Sequence, residues 1–103
     1  MSASASAQVR QYLEREVVPH LSTSIRAMSF EINSWLVEVH AFQNGVLDDD
    51  TYERLESLVG PLVRALNPRD GEPWQVAVST HRVDAPAPIV PIGSFVVQRS
   101  TSI

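Results

Sequence analysis

The feature that most constrains this chain is a run of three prolines, Pro86, Pro88 and Pro91, between two segments that alternate in polarity. The alternation predicts one strand over Trp74–Val83 and another over Ser94–Arg99. Because proline fixes φ and donates no amide hydrogen, the segment between these strands cannot be a central strand itself. The sequence therefore predicts a stiff arm held between two strands, which suits a protein that presents a surface to a partner.

The first half of the chain predicts a helix followed by a β-hairpin. Apolar residues recur at helical spacing from about Ala7 to Val18, and Pro19 disfavours continuation of that helix. Strict alternation then predicts a strand over Met28–Asn33 and a second one over Trp35–Phe42. In the second strand, Glu38 and His40 lie on the face opposite Val37 and Val39.

A second helix is predicted between Asp50 and Leu66. Asp50 is suited to be its N-cap, with Glu53 completing a capping box three residues later. Asp48 and Asp49 lie just ahead, where negative charge favours the positive end of the helix dipole. Because Pro61 removes a helical hydrogen bond, a kink or two shorter helices are expected there.

These elements give the order α-β-β-α-β-β. With one apolar face per element, we expect an α+β fold in which a four-stranded, mainly antiparallel sheet carries both helices on one face. The 103 residues suit a single domain spanning positions 1–103. Residues 1–6 and 100–103 are expected to be flexible tails.

Charge and composition limit the classes of partner. Twelve acidic and eight basic residues give a net charge of −4, which argues against nucleic acid and favours a basic protein partner. Mild acidity that simply keeps the protein soluble is an equally weighted explanation. There is no cysteine, no apolar run near the ~20 residues that span a bilayer, and no secretory signal. We therefore expect no membrane partner and a cytoplasmic location.

The histidines do not predict a metal or cofactor site. His20, His40 and His81 lack the spacing of known zinc motifs. His40 and His81 lie on different strands and could approach each other if those strands pair. Ordinary strand histidines are favoured over a pair of metal ligands, so no metal and no cofactor are expected.

The sequence also predicts no enzyme. There is no cysteine nucleophile and no G-x-S-x-G motif, and the four glycines are too scattered to form a phosphate-binding loop. Glu31 and Glu38 on neighbouring strands could form an acid–base pair. Solvent-facing strand polarity is the favoured interpretation of these two carboxylates.

The C-terminal motif resembles that of a protein family. The motif consists of Arg82-Val-Asp-Ala-Pro-Ala-Pro-Ile89 followed by Gly93-Ser-Phe-Val-Val-Gln-Arg99. It is similar to the end of small bacterial immunity proteins of toxin–immunity systems, particularly those of contact-dependent growth inhibition. The preceding helix with its acidic start and the strand after it occur in a similar order. The resemblance implies a cytoplasmic inhibitor that binds a cognate toxin domain, often a nuclease, and blocks its active or substrate-binding surface.

An acidic inhibitor can imitate the phosphates that a nuclease holds with its cations. We therefore predict that the partner-binding surface includes five carboxylates: Glu31, Glu38, Asp48, Asp49 and Asp84.

Two other functions stay open at this point. The protein could be a self-associating structural or accessory protein that uses a strand edge or the Pro86–Pro91 arm to form a homo-oligomer. It could also be a small enzyme or ligand carrier whose site assembles only in the fold, which a deep polar pocket containing His40 or His81 would favour.

Overall fold

The N-terminal helix begins at Ala5 and changes its winding twice before it ends. The computed structural model of the chain describes residues 5–67, 73–90 and 92–98. Helix α1 (Ala5–Tyr12) continues as a single π-helical segment (Leu13–Val17) and a 3₁₀ turn (Val18–His20). The sequence predicted one α-helix that ends before Pro19, and this was wrong in both respects. The α-helix ends at Tyr12, and helical winding continues through Pro19, which stands in the first positions of the 3₁₀ turn, where its missing amide hydrogen is tolerated.

Four strands form one mixed sheet in the order β3-β2-β1-β4. They are β1 (Ile25–Asn33), β2 (Leu36–Gln43), β3 (Gln75–Arg82) and β4 (Ser94–Gln98). Strand β1 pairs antiparallel with β2 and β4, whereas β2 and β3 are parallel. The α+β class and the four strands are confirmed. The expected antiparallel character holds for both pairings of β1 and is wrong for β2–β3.

The parallel pairing follows from the helical connection between β2 and β3. Helix α2 (Asp49–Val59) and the short helix α3 (Leu62–Leu66) carry the chain back along the sheet, as a crossover between parallel strands requires. Their separation at Gly60 and Pro61 confirms the predicted break. The predicted N-cap was wrong: Asp48 accepts the amide hydrogen of Thr51 at 2.7 Å, and Asp50 lies in the first turn.

Both helical segments pack on the same face of the sheet. Apolar side chains from the N-terminal helix, from α2 and α3 and from the inward face of the strands form a single core cluster. Its members include Val9, Leu13, Val17, Met28, Phe30, Val37, Val39, Leu55, Val59, Leu62 and Leu66. The strand faces were therefore predicted correctly from alternation. The opposite face of β1, β2 and β3 carries no helix and holds most of the polar chemistry.

The proline-containing arm connects the end of β3 to the start of β4, the two edge strands of the sheet. Arg26 of β1 is buried and donates from Nη1 to the carbonyl oxygens of Val83 at 2.6 Å and Ala87 at 2.9 Å. Gly93, at the end of the arm, approaches the carbonyl of Phe30 so closely that a Cβ would overlap it. The arm forms no strand over its described residues, as predicted; Pro91 lies outside them.

Candidate functional site

The helix-free face of the sheet brings together polar residues from three strands. Register pairs Glu31 of β1 with Glu38 of β2, and His40 of β2 with Ser79 of β3. Strand alternation places Glu38 and His40 on one face, and parallel pairing with β3 adds Ser79 and His81 to that face. We call Glu31, Glu38, His40, Ser79 and His81 the His–Glu cluster.

His40 is the centre of the His–Glu cluster. Its Nδ1 lies 2.9 Å from Nε2 of His81, and its own Nε2 lies 3.1 Å from Oε1 of Glu31. Oε1 of Glu38 is 3.9 Å from the same Nε2. The side chain of His40 is only 4% exposed, so both ring nitrogens have protein partners rather than bulk water. The sequence left open that His40 and His81 approach each other if their strands pair; β2 and β3 do pair, and the two rings are in contact.

The two carboxylates connect this buried ring to solvent. The side chains of Glu31 and Glu38 are 34% and 30% exposed. The hydroxyl of Ser79 donates to Oε1 of Glu38 at 3.0 Å and thereby orients that carboxylate. Sequence reasoning missed Ser79. It lies two positions before His81 and so on the same face, but its partner strand could not be read from the pattern.

His81 prefers its neutral form in the folded protein. Burial lowers the pKa of His81, the nearby His40 lowers it further, and the charge of Glu38 opposes both effects in part. A neutral imidazole has one nitrogen that donates and one that accepts. His81 can therefore serve as either donor or acceptor toward Nδ1 of His40.

The lowered pKa of His81 predicts a loss of stability in mild acid. When the folded-state pKa lies below the unfolded value, the unfolded chain binds more protons near pH 6, so stability is present above about pH 6.5 and falls below it. We expect the free energy of unfolding to decrease between about pH 7.5 and 5.5, and to decrease less in His81→Gln. Urea denaturation of chelator-treated protein at these two pH values measures the free energy of unfolding. An equal decrease in the variant would contradict it.

The His–Glu cluster can move protons or hold a cation. Glu31, Glu38 and His40 each offer one ligand atom, and these three atoms lie within 4.8 Å of one another. Carboxylate oxygens and imidazole nitrogen are donors that divalent transition metals accept.

A second polar region lies on the start of α2. The segment 48–56 carries five carboxylates and one arginine, a formal charge of −4 that equals that of the whole chain. All six charged side chains in this segment are exposed. The Thr51 contact lowers the pKa of Asp48, so its charge persists at neutral pH. We call residues 48–56 the acidic segment; it contains the predicted contact residues Asp48 and Asp49.

Asp84 lies beside the loop that leads into the acidic segment. Its carboxylate accepts two bonds from Nε of Arg82 and one from Nη2, and it also accepts the amide hydrogen of Gly45 at 2.7 Å. These hydrogen bonds lower the pKa of Asp84. Glu38, in contrast, precedes the end of β2 by five residues, or about 16 Å of strand. The five predicted contact residues therefore fall into two groups, at different places along the sheet.

A small cleft borders the acidic segment. Its volume is about 180 Å³, and its lining includes His20, Leu21, Asp50, Arg54 and Leu58. Pockets for drug-sized ligands measure roughly 300–1,000 Å³, so this cleft is too small to enclose one. It is large enough to receive a side chain from a protein partner.

The two tryptophans form an edge-to-face pair beside the turn between β1 and β2. Their ring centroids are 5.0 Å apart. Trp74 packs against the core, whereas Trp35 is 53% exposed. Trp74 therefore packs at the edge of the core, whereas most of Trp35 faces solvent.

No helix within the described ranges is both long and apolar enough to cross a membrane. No family model matches the chain, and a search of curated proteins returns no match.

Proposed function

We propose that this protein is an immunity-type inhibitor that acts in the cytoplasm by binding a basic bacterial toxin domain, such as a nuclease. The observation that carries the proposal is the acidic segment, residues 48–56. Its formal net charge of −4 equals the net charge of the whole chain, and all of its charged side chains are exposed. Clustered charge steers association with a partner of opposite charge and suppresses binding of like-charged partners.

The immediate surroundings of the acidic segment suit a protein interface. The small cleft beside Asp50 and Leu58 offers apolar surface next to the charges. Interfaces commonly combine such a depression, which receives one anchoring side chain, with a charged rim. Asp48, Asp49 and neighbouring Asp84 would meet the partner's cations here. Glu31 and Glu38 stay predicted contacts that would belong to a separate part of the interface.

Neutralisation of a toxin is the direct test. We expect a toxin domain to be encoded beside the gene of this protein, and that domain would be expressed in a bacterial host with and without this chain. We expect growth arrest without the chain and growth with it, together with loss of the domain's activity at a 1:1 ratio in vitro. Arrest that persists despite equal expression of both proteins would contradict the proposal.

Charge reversal within the acidic segment should slow association with that toxin domain. We expect the Asp49→Lys/Glu53→Lys double variant to reduce the association rate constant about tenfold or more at low salt, and to weaken its salt dependence. Asp48 is retained because it caps α2. Stopped-flow or surface plasmon resonance kinetics at several salt concentrations measure the effect.

A matched control changes the same kind of charge elsewhere. Glu14 and Glu16 are both exposed on the N-terminal helical segment, outside the acidic segment. The Glu14→Lys/Glu16→Lys double variant reverses the same number of charges and should leave the association rate within about twofold of the original, since surface charge outside the docking site contributes little to steering. Equal slowing by both changes would indicate a net-charge effect and contradict a local docking surface.

One observation favours self-association as a second function. Strand β3 is eight residues long and lies at the edge of the sheet, where its outer backbone groups can pair with another strand. A stable homodimer that forms at micromolar concentration and does not neutralise the toxin would favour this function. Light scattering coupled to size-exclusion chromatography measures it.

A further inference from the structure

We propose that Glu31, Glu38 and Nε2 of His40 form a binding site for a divalent transition-metal ion of the Zn²⁺ class. The inference is independent of the toxin-binding proposal, because its test needs no partner. It departs from the sequence-based expectation that no metal binds, since the expectation rested on spacing along the chain. Glu31 and Glu38 come instead from paired positions on neighbouring strands, and His40 follows Glu38 by two residues on the same face.

The geometry of the ligand atoms suits one small ion. Nε2 of His40 lies 3.1 Å from one carboxylate oxygen and 3.9 Å from the other. Ligand atoms around Zn²⁺ lie about 2.0–2.2 Å from the ion, so neighbouring ligands are about 3–4 Å apart. The three ligand atoms all lie within 4.8 Å of one another. A movement of about 1 Å by one carboxylate oxygen would therefore bring them to the spacing found around Zn²⁺.

The donor set selects the class of ion. Mg²⁺ and Ca²⁺ prefer all-oxygen sites, whereas imidazole nitrogen is a good ligand for Zn²⁺ and its transition-metal neighbours. Two carboxylates and one imidazole supply three ligands and two negative charges. Because Glu31 and Glu38 are about one-third exposed, the ion would keep a side open to solvent for water or another ligand.

Ser79 and His81 orient two of the ligands by hydrogen bonds, as the partners of metal ligands usually do. Ser79 donates to Glu38, and His81 contacts Nδ1 of His40, the nitrogen that faces away from the proposed ion. A histidine ligand almost always donates its second ring N–H to a neighbouring acceptor. Neutral His81 can supply that acceptor through Nε2.

Metal binding should exchange the tautomers of the two histidines. Without a cation, the 3.1 Å contact requires Nε2 of His40 to donate a proton to Glu31, since two lone pairs would repel. A metal ion displaces that proton to solvent. Nδ1 of His40 then takes the proton from Nε2 of His81, and Nδ1 of His81 takes one from solvent. Protons therefore balance, and both rings change the nitrogen that carries hydrogen.

The inference gives Glu31 and Glu38 a role other than contact with a basic partner. An ion held by both carboxylates would cancel the negative charge that a cationic surface would seek. The acidic segment is not involved in the metal site. Variants of the two glutamates therefore test metal binding without changing the acidic segment.

The test measures Zn²⁺ and Mg²⁺ binding to tag-free, chelator-treated protein. We expect calorimetry to show one saturable Zn²⁺ equivalent and at least tenfold weaker Mg²⁺ binding. Long-range ¹H–¹⁵N NMR of the imidazoles should show Nε2 of His40 metallated and the hydrogen-bearing nitrogen exchanged in both His40 and His81. Binding that is equal for the two ions, or that leaves the ring of His40 unchanged, would overturn the proposal.

Variants separate this site from adventitious binding by surface groups. Glu31→Gln and Glu38→Gln keep side-chain size, and each should weaken Zn²⁺ binding at least tenfold. His20→Gln, which removes an exposed histidine from another region, should leave it unchanged. His81→Gln should weaken binding by about tenfold, as loss of an orienting partner does. Wild-type affinity in both glutamate variants, with native circular dichroism, would overturn the assignment, as would loss of binding in His20→Gln.

Discussion

Replacing Gly93 by alanine should lower the free energy of unfolding by about 3 kcal/mol or more. Gly93 has a φ of +69°, and an added Cβ would overlap the carbonyl oxygen of Phe30. That oxygen belongs to the backbone of a central strand and cannot move aside as a flexible side chain would. The variant therefore carries both the left-handed backbone penalty and a steric overlap. Urea denaturation measures the difference.

Gly45 is the matched control for Gly93. It has a similar φ of +78°, but a Cβ there would meet nothing within 4 Å. Gly45→Ala should therefore cost only the left-handed backbone penalty, about 1–2 kcal/mol. If the two variants were equally destabilised, the close approach of the arm to β1 would not contribute, and the packing of Gly93 described above would be wrong.

Replacing Arg26 by leucine should lower the free energy of unfolding by about 2–4 kcal/mol. Its guanidinium holds the carbonyls of Val83 and Ala87, at two points of the arm, and is almost completely buried. Leucine would fill part of the volume but leave both carbonyl oxygens without this donor. Hydrogen bonds to charged groups contribute more than neutral ones, so the loss should exceed that of an ordinary side-chain contact.

The control for Arg26 is an arginine on the surface. Arg54 is exposed on α2, and Arg54→Leu should change stability by no more than about 0.5 kcal/mol. Amide hydrogen exchange adds a local measurement: the amide hydrogen of Ala87, bonded to the carbonyl of Asp84, should exchange faster in Arg26→Leu. Unchanged exchange in the arm would contradict its anchoring by Arg26.

The face assignments were predictable because they depend on a period of two within each strand. Alternation alone placed Val37 and Val39 inward and Glu38 and His40 outward, and packing of both helical segments on one face decided which side became the core. The break near Pro61 was predictable for a similarly local reason. A proline in a helix loses a hydrogen bond whatever the rest of the fold does.

Strand order and the cap of α2 were not predictable, for different physical reasons. Pairing partners depend on the path of the chain in space, so the parallel β2–β3 contact leaves no periodic signal in either strand. Three consecutive aspartates, Asp48 to Asp50, each have a side chain able to cap a helix, and local sequence does not decide among them. The His–Glu cluster was only partly predictable. Alternation showed which face of each strand its residues occupy, but it did not show which strands lie next to each other.

The parallel pairing makes the His40–His81 contact a reporter of the whole fold. The two residues are separated by 41 positions, and the contact between their strands exists only when the helical crossover has returned the chain to the same end of the sheet. A β1–β2 hairpin formed alone would leave His40 with Glu31 but without His81. Imidazole resonances therefore distinguish a chain that has completed its sheet from one that has formed only its local elements.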